Sequence, residues 1–162
     1  MKLVLLIRHA KSDWNDPSLN DIDRPLNERG KADAPIMAHR LLDKKIKIDA
    51  FISSPAKRAK KTAAVFAKEY KKEKDEIILK DKLYAAEPDI FFDVISSADD
   101  KWGSIAVFSH NPGITDFANL LTDARIDNIP TCGIFAIQVD SKHWSDFKHA
   151  KKEFWFFDYP KA

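Results

Sequence analysis

The feature that most constrains the fold is an unbroken apolar run at residues 3–7, which is followed immediately by Arg8 and His9. A run of this length without polar alternation is typical of a strand that is buried on both faces. Strands of that kind lie in the middle of parallel sheets that carry helices on both sides. Residues 3–7 are therefore predicted to form a central strand, with Arg8 and His9 at its carboxyl end.

Further apolar segments of strand length alternate with helical patterns along the chain. We predict strands at residues 50–53, 76–79, 104–108, 134–139 and 154–157. Helices are predicted from Ser54-Pro55 to about Tyr70, over residues 88–95, and after Asn111-Pro112. The alternation predicts an α/β fold of three layers, α/β/α, in which a mostly parallel central sheet is flanked by helices.

Pro35 complicates the segment at residues 26–42, whose composition is otherwise helical. Inside a helix, proline removes a hydrogen bond at a cost of roughly 3 kcal/mol. A helix that is capped by Asp33 and has Pro35 in its first turn avoids that cost. We therefore predict that the helix begins there and that the preceding residues form a turn.

Length and composition fit one domain over residues 1–162. The net charge of +2 provides no strong field for nucleic acid or a membrane surface, and the four glycines form neither of the usual nucleotide-binding loops. Cys132 is the only cysteine, so no intrachain disulfide can form. The first apolar run is too short for a signal peptide or a membrane span, and we expect a cytoplasmic protein.

Polar residues follow three of the predicted strands. Arg8 and His9 follow the first strand, Arg58 lies in the first turns of the helix after the second, and His110 follows the strand at residues 104–108. In open α/β sheets, ligands bind in the crevice outside the carboxyl ends of the strands. These four side chains are therefore expected to converge at one edge of the sheet.

Two arginines and two histidines suit the transfer of a phosphoryl group. Guanidinium groups match phosphate oxygens bidentately, and the helix N-terminus near Arg58 adds backbone N–H donors. A neutral imidazole is a competent nucleophile near pH 7, because its ordinary pKa is about 6.5. A zinc site built from His9, His110 and Cys132 is disfavoured, since no pair of them has the spacing of a zinc motif.

Four ordered segments resemble one known family. They are residues 6–15 (LIRHAKSDWN), 23–30 (DRPLNERG), 53–63 (SSPAKRAKKTA) and 109–112 (SHNP). Together they are similar to the motifs of the histidine phosphatase superfamily, also called phosphoglycerate mutase-like. Alanine at position 10, the short chain and the His-Asn-Pro sequence resemble the SixA-type branch, whose members are phosphohistidine phosphatases.

The resemblance implies a role for each of the four converging residues. His9 is expected to be the nucleophile and to become transiently phosphorylated. Arg8 and Arg58 are expected to clamp the phosphoryl oxygens, which His110 would also contact in the transition state. Water would then hydrolyse the phosphohistidine, and neither a metal nor a cofactor is expected.

Further matching positions are assigned to substrate binding and to acid catalysis. Arg24 is expected to reach the phosphate, and Ser12 and Asn15 match positions that line the pocket in larger relatives. Those relatives use a carboxylic acid to protonate the leaving group, and Glu87 is the best-placed candidate here, with Asp13 as a second. The resemblance to SixA-type enzymes implies that a fixed acid is absent, which is chemically tolerable when an imidazole leaves.

The expected reaction is hydrolysis of phosphohistidine on a protein, or of a phosphate monoester, through a covalent intermediate on His9. The alternatives are a small-molecule phosphomonoesterase of the same superfamily and a phosphoprotein-binding module without turnover. The expected partners are a phosphorylated protein or a small phosphorylated substrate, with inorganic phosphate as product. Neither nucleic acid nor a membrane is expected as a partner.

Overall fold

A six-stranded sheet forms the centre of the computed structural model, which describes residues 1–161. Its strands are β1 (Lys2–Arg8), β2 (Ala50–Ser53), β3 (Ile78–Leu79), β4 (Ser104–Ser109), β5 (Ile134–Asp140) and β6 (Lys151–Asp158). The helices are α1 (Glu28–Asp43), α2 (Lys57–Glu69), α3 (Pro88–Ser96) and α4 (Gly113–Leu121). These elements occur in the order that the sequence predicts.

The strands lie side by side in the order β3-β2-β4-β1-β5-β6. Neighbours from β3 to β1 run parallel, whereas β5 pairs antiparallel with β1 and β6 pairs antiparallel with β5. β1 is therefore hydrogen-bonded along both edges, to β4 on one side and to β5 on the other. The predicted α/β fold, with a mostly parallel sheet flanked by helices, is confirmed.

Apolar side chains cover both faces of this sheet. Val4 and Leu6 of β1 belong to one buried cluster, in which α3 and α4 contribute Phe91 and Phe117. Leu5 and Ile7 belong to a second cluster on the opposite face, where α1 and α2 pack. All four β1 side chains have no exposed surface. The continuous apolar run at residues 3–7 thus reflects a strand that buries both of its faces.

The start of α1 differs from the prediction. The helix begins at Glu28 rather than after Asp33, and Pro35 lies inside it. Asn27 is the N-cap, since its side chain accepts a hydrogen bond from the Gly30 amide at 2.8 Å. A well-capped start and a buried apolar face compensate for the hydrogen bond that Pro35 removes, which propensity alone does not reveal.

The start of α2 also differs from the prediction. The helix begins at Lys57, its N-cap is Ala56, and no side chain caps it. The hydroxyl of Ser54, the expected cap, accepts a hydrogen bond from the Ala56 amide at 3.2 Å. The same hydroxyl lies 2.7 Å from Nε2 of His110. The turn before α2 therefore uses its serine to hold a histidine from the neighbouring strand.

The two edge strands differ in length from the prediction. Only Ile78 and Leu79 of the segment 76–79 pair with β2, because Lys74–Glu76 forms a short 3-10 turn. β6 begins at Lys151 rather than at residue 154, since it pairs with β5 over its whole length. Among residues 1–161, no helix is long and apolar enough to cross a membrane.

Candidate active site

The carboxyl ends of three parallel strands bring the candidate residues together. Arg8 ends β1 opposite Ser109, the last residue of β4, so the residues that follow both strands are neighbours. The His9 amide donates to the Ser109 carbonyl at 3.2 Å. As a result, the imidazole rings of His9 and His110 lie with their centroids 5.1 Å apart. The structure thus brings His9 and His110 together at one edge of the sheet, as the sequence predicts.

A small pocket opens at this edge of the sheet, with a volume of about 200 Å³. The residues that line it come from four separate parts of the chain: Arg8, His9, Lys11, Ser12, Trp14, Asp21, Arg58, His110, Asn111 and Thr131. Three of these side chains are cations at neutral pH and one is a carboxylate. The pocket is therefore suited to an anion of phosphate size.

His9 is held in one orientation with one nitrogen available. Its side chain is buried, and Nδ1 lies 2.8 Å from the Ala10 carbonyl oxygen. A carbonyl oxygen can only accept, so Nδ1 carries the proton and Nε2 keeps its lone pair. Burial, followed by the charges of Arg58 and Arg8, lowers the pKa of His9 to about 4 despite the bond to Ala10. At neutral pH, His9 is therefore an uncharged imidazole with a free nucleophilic nitrogen.

His110 lies beside His9 and is equally buried. Its Nε2 shares a hydrogen bond with the Ser54 hydroxyl, whereas Nδ1 has no partner among residues 1–161. Burial and the proximity of His9 and Arg58 lower the pKa of His110 to about 3. The ring is neutral at physiological pH, and its Nδ1 is a buried polar atom whose hydrogen-bonding capacity is not used within residues 1–161.

Two guanidinium groups provide the positive charge. Arg8 donates from Nη1 to the Ile129 carbonyl at 3.0 Å, and its Nε is buried without a partner in the described chain. Burial and the charge of Arg58 lower the pKa of Arg8 from its ordinary value. Arg58 itself is buried at the start of α2. A phosphate dianion would relieve the repulsion between these two groups, which favours its binding.

Asp21, which sequence reasoning missed, fixes the position of Arg58. Arg58 donates from Nη1 to the Asp21 carbonyl at 2.7 Å and from Nη2 to its Oδ2 at 3.0 Å. The Tyr84 hydroxyl donates to the same Oδ2 at 2.6 Å. These bonds, first from Tyr84 and then from Arg58, lower the pKa of Asp21. No motif spacing connects the three residues, because they come from separate parts of the chain.

Thr62 connects the backbone beside His9 with the helix that carries Arg58. Its hydroxyl donates to the Arg58 carbonyl at 2.7 Å and accepts from the Ala10 amide at 2.9 Å. The backbone next to His9 is thereby tied to the helix that carries Arg58. Thr62 lies within the segment 53–63 that carries part of the family resemblance, so that motif contained the signal for this role.

The remaining candidates divide into two groups. Ser12 is buried and lines the pocket, and Arg24 lies beside it, with Cζ 3.9 Å from the centroid of the Trp14 ring. Asn15 and Glu87 are exposed and do not line the pocket. Asp13 does not line it either, and its carboxylate accepts from the Asn15 amide at 2.7 Å. The structure thus gives Glu87 no contact with the two histidines.

Metal ligands are not clustered at this site or elsewhere in residues 1–161. No group of three or more His, Cys, Asp or Glu side chains there could hold a metal ion. Cys132 is buried, and burial raises the pKa of its thiol. Its amide donates to the carbonyls of Arg8 and His9, each at 3.0 Å. Cys132 therefore supports the end of β1 through its backbone amide.

Burial of the two neutral histidines makes stability depend on pH. In the unfolded chain both rings take up a proton near pH 6.5, whereas in the folded chain they do so only at about 4 and 3. The unfolded state binds more protons between these values, so stability falls as the pH drops from 6.5 towards 4. For His9 alone we expect a loss of about 3 kcal/mol.

Urea unfolding at pH 7 and at pH 4.5 measures this loss. The variant His9→Gln should lose clearly less stability over that interval than the wild type. The exposed His149 provides the matched control, because His149→Gln should retain the wild-type dependence. Equal losses in wild type and His9→Gln would contradict the burial of a neutral His9.

Comparisons with known proteins agree with this geometry. The family model described as "Histidine phosphatase superfamily (branch 1)" matches residues 4–84, which include His9, Arg24 and Arg58. An uncharacterized protein of Mycobacterium tuberculosis is 31% identical over 150 residues, which cover 86% of this chain and 90% of that protein. The sequence similarity thus extends over both the matched segment and the region of His110.

Solved structures share the fold over almost the whole chain. A protein designated SixA from Agrobacterium tumefaciens is 27% identical, covers 98% of this chain and 98% of its own, and superposes with a TM-score of 0.79. The protein histidine phosphatase SixA, in a complex with tungstate, covers 98% of this chain and 97% of its own with a TM-score of 0.82. At 19% identity, the second comparison is a likeness of fold.

Proposed function

Because the chain belongs to the histidine phosphatase superfamily, branch 1, we propose that it is a phosphatase that forms a covalent phosphohistidine on His9. We propose further that residues 1–162 act as one catalytic domain. The observation that carries the proposal is the state of His9. Its Nδ1 donates to the Ala10 carbonyl, and its neutral ring keeps a lone pair on Nε2 inside a cationic pocket.

In the first step, Nε2 of His9 attacks the phosphorus atom and the bond to the leaving group breaks. The leaving group takes the electron pair of that bond, and the phosphoryl group becomes attached to Nε2. In the second step, water attacks the phosphorus, the P–N bond breaks, and inorganic phosphate leaves. Arg8 and Arg58 stabilise the negative charge on the phosphoryl oxygens in both steps, together with Nδ1 of His110.

The size of the pocket supports a phosphoryl group on a protein side chain as the substrate. A volume of about 200 Å³ lies below the roughly 300–1,000 Å³ of sites that enclose drug-sized ligands. A phosphoryl group and the ring that carries it fit such a space, whereas most of a nucleotide would lie outside. We therefore favour a phosphoryl group on a protein side chain over a nucleotide, with inorganic phosphate as the product. We favour phosphohistidine in particular because Glu87, the acid expected for an ester, does not line the pocket.

A substrate panel and a trapping experiment test the proposal together. The wild type should hydrolyse a phosphohistidine peptide faster than sugar phosphates or nucleotides. Rapid quenching should trap a phosphoenzyme that is labile in acid and stable in base. Preference for a small ester would favour a phosphomonoesterase instead. If neither esters nor phosphohistidine are hydrolysed, the protein is a phosphate-binding module and the proposal is wrong.

A further inference from the structure

The pocket contains one acidic residue, and its carboxylate is only partly used. Among the residues of the described chain that line the pocket, Asp21 alone is acidic. Its Oδ2 accepts from both Arg58 and Tyr84. Its Oδ1 forms an ion pair with Arg24, whose Nε lies 3.7 Å away, but accepts no hydrogen bond within residues 1–161. This oxygen can therefore accept a hydrogen bond from a ligand in the pocket.

A carboxylate at this position does not favour a phosphoryl dianion. The side chain of Asp21 is 45% exposed, so it is not a buried structural charge. It is also held rigidly, because Tyr84 and Arg58 fix Oδ2 and Arg58 also binds the Asp21 carbonyl. Arg58 and Arg24 pair with it, and a leaving group that carries a proton on a ring nitrogen could add a hydrogen bond to Oδ1, which the phosphoryl group cannot do.

We propose that Asp21 and Trp14 form a leaving-group subsite for a protonated imidazole, so that Oδ1 of Asp21 accepts a hydrogen bond from the ring N–H of a substrate phosphohistidine. This inference rests on the proposed function, which it deepens by assigning the class of leaving group. Trp14 lines the same pocket and is 61% exposed. Arg24 lies over one face of its indole, with Cζ 3.9 Å from the ring centroid, so a cationic substrate ring would be stabilised against the exposed remainder of the indole.

The chemistry of the leaving group depends on that proton. When one ring nitrogen of the substrate carries the phosphoryl group and the other is bare, breaking the P–N bond would release an imidazolate. When the other nitrogen carries a proton, the P–N electron pair moves to the released nitrogen and a neutral imidazole leaves. The proton stays on its nitrogen throughout, so no general acid is needed. By accepting a hydrogen bond from that N–H, Asp21 stabilises the reactive protonated form.

His9 is held in the same way as the proposed substrate ring, with a hydrogen bond from the nitrogen that does not react. Nδ1 of His9 donates to the Ala10 carbonyl, so phosphorylated His9 also keeps a proton on the nitrogen that does not carry phosphorus. The intermediate is thereby prepared to lose its phosphoryl group to water. Asp21 would do for the substrate ring what the Ala10 carbonyl does for His9. In both transfers, the ring that releases the phosphoryl group then keeps a proton on its other nitrogen and leaves as a neutral imidazole.

Because Asp21 is ionised, it can accept a hydrogen bond but cannot protonate the leaving group of an ester. Hydrogen bonds from Tyr84 and Arg58 lower its pKa, so the carboxylate has no proton to give at neutral pH. An alkoxide leaving group would gain nothing from it and would be repelled. The subsite therefore discriminates in favour of phosphoramidates of imidazole and against esters of ordinary alcohols.

The test compares two substrates in one variant. N-phosphorylated imidazole has the proposed leaving group, whereas 4-nitrophenyl phosphate has a phenolate that leaves without a proton. In Asp21→Asn, kcat/KM for phosphoimidazole should fall by roughly 10- to 100-fold, as expected for the loss of a charged hydrogen bond. The value for 4-nitrophenyl phosphate should fall less than that for phosphoimidazole, because the backbone carbonyl and the amide oxygen of asparagine can still accept from Arg58. The control is Asp23→Asn, because Asp23 lies in the same short turn but does not line the pocket.

The pH dependence gives a second readout. As the pH rises, the bound substrate ring loses its proton and kcat for phosphoimidazole declines. Without the carboxylate, which favours the protonated form of the bound ring, this decline in kcat should begin at lower pH than in the wild type. Equal losses on both substrates would mean that Asp21 acts only by positioning Arg58, and no loss on phosphoimidazole would mean that it has no role; either result overturns the subsite. A wild type that is inactive on both substrates would instead overturn the proposed function.

Discussion

Replacement of His9 by alanine is expected to lower phosphate release by roughly 10⁴-fold or more and to abolish the trapped phosphoenzyme. The variant removes the proposed nucleophile, while the arginines that are proposed to bind the phosphoryl group remain. Steady-state release of phosphate from a phosphohistidine peptide and rapid-quench trapping measure the two effects. Binding of inorganic phosphate should be retained, since Arg8 and Arg58 are unchanged.

His149→Ala is the matched control for the nucleophile. His149 is exposed and lies far along the chain from the pocket-lining segments, so its replacement should leave both readouts unchanged. A phosphoenzyme of normal amount in His9→Ala would assign the nucleophile to another residue. His110 would then be the next candidate, because its Nδ1 has no partner among residues 1–161.

Arg58→Ala should reduce kcat/KM by roughly 10²- to 10³-fold, the loss observed when one preorganised donor to a developing anion is removed. The effect has two parts, because Arg58 both lines the pocket and binds Asp21. Inhibition by inorganic phosphate should weaken in parallel. Arg58→Lys should recover only part of the activity, since an ammonium group cannot replace the bidentate geometry of the guanidinium.

Lys57→Ala provides the control for this variant. Lys57 is the neighbouring residue on α2, but it is exposed and does not line the pocket. Its replacement removes one positive charge from the same helix turn and should change kcat/KM by less than a factor of about three. Similar losses in both variants would mean that general attraction of an anionic substrate, rather than contact with Arg58, accounts for the effect.

The central sheet and the histidine pair were predictable because they depend on periodicity along the chain. A continuous apolar run such as residues 3–7 has few alternatives to a strand that is covered on both faces. Once β1 and β4 run parallel, the residues after them, His9 and His110, must be neighbours. The start of α1 was not predictable in the same way. Pro35 lowers the helix propensity locally, but the Asn27 cap and packing against the sheet outweigh it.

Asp21 and Tyr84 could not be found from the sequence for a different reason. Asp21 lies in a short turn between exposed segments, and acidic residues are common in such turns. Its partners Arg58 and Tyr84 are 37 and 63 residues away along the chain, so no local spacing records the contacts. Glu87 was predicted as the acid from the resemblance to larger relatives, but the structure leaves its side chain exposed, and it does not line the pocket.

Because β1 is hydrogen-bonded along both edges, the side of the pocket that follows β1 is stiffer than the side opposite it. Amide protons of β1 can exchange with solvent only when β1 separates from β4 or β5. The free energy needed for that separation approaches the free energy of global unfolding. The opposite wall is formed by residues 13–23, in which no side chain is buried. The phosphoryl group would thus meet fixed atoms, whereas the exposed residues of this wall, apart from the hydrogen-bonded Asp21, can adjust their positions. Such an arrangement would let one active site accept the same modified residue within different surrounding surfaces.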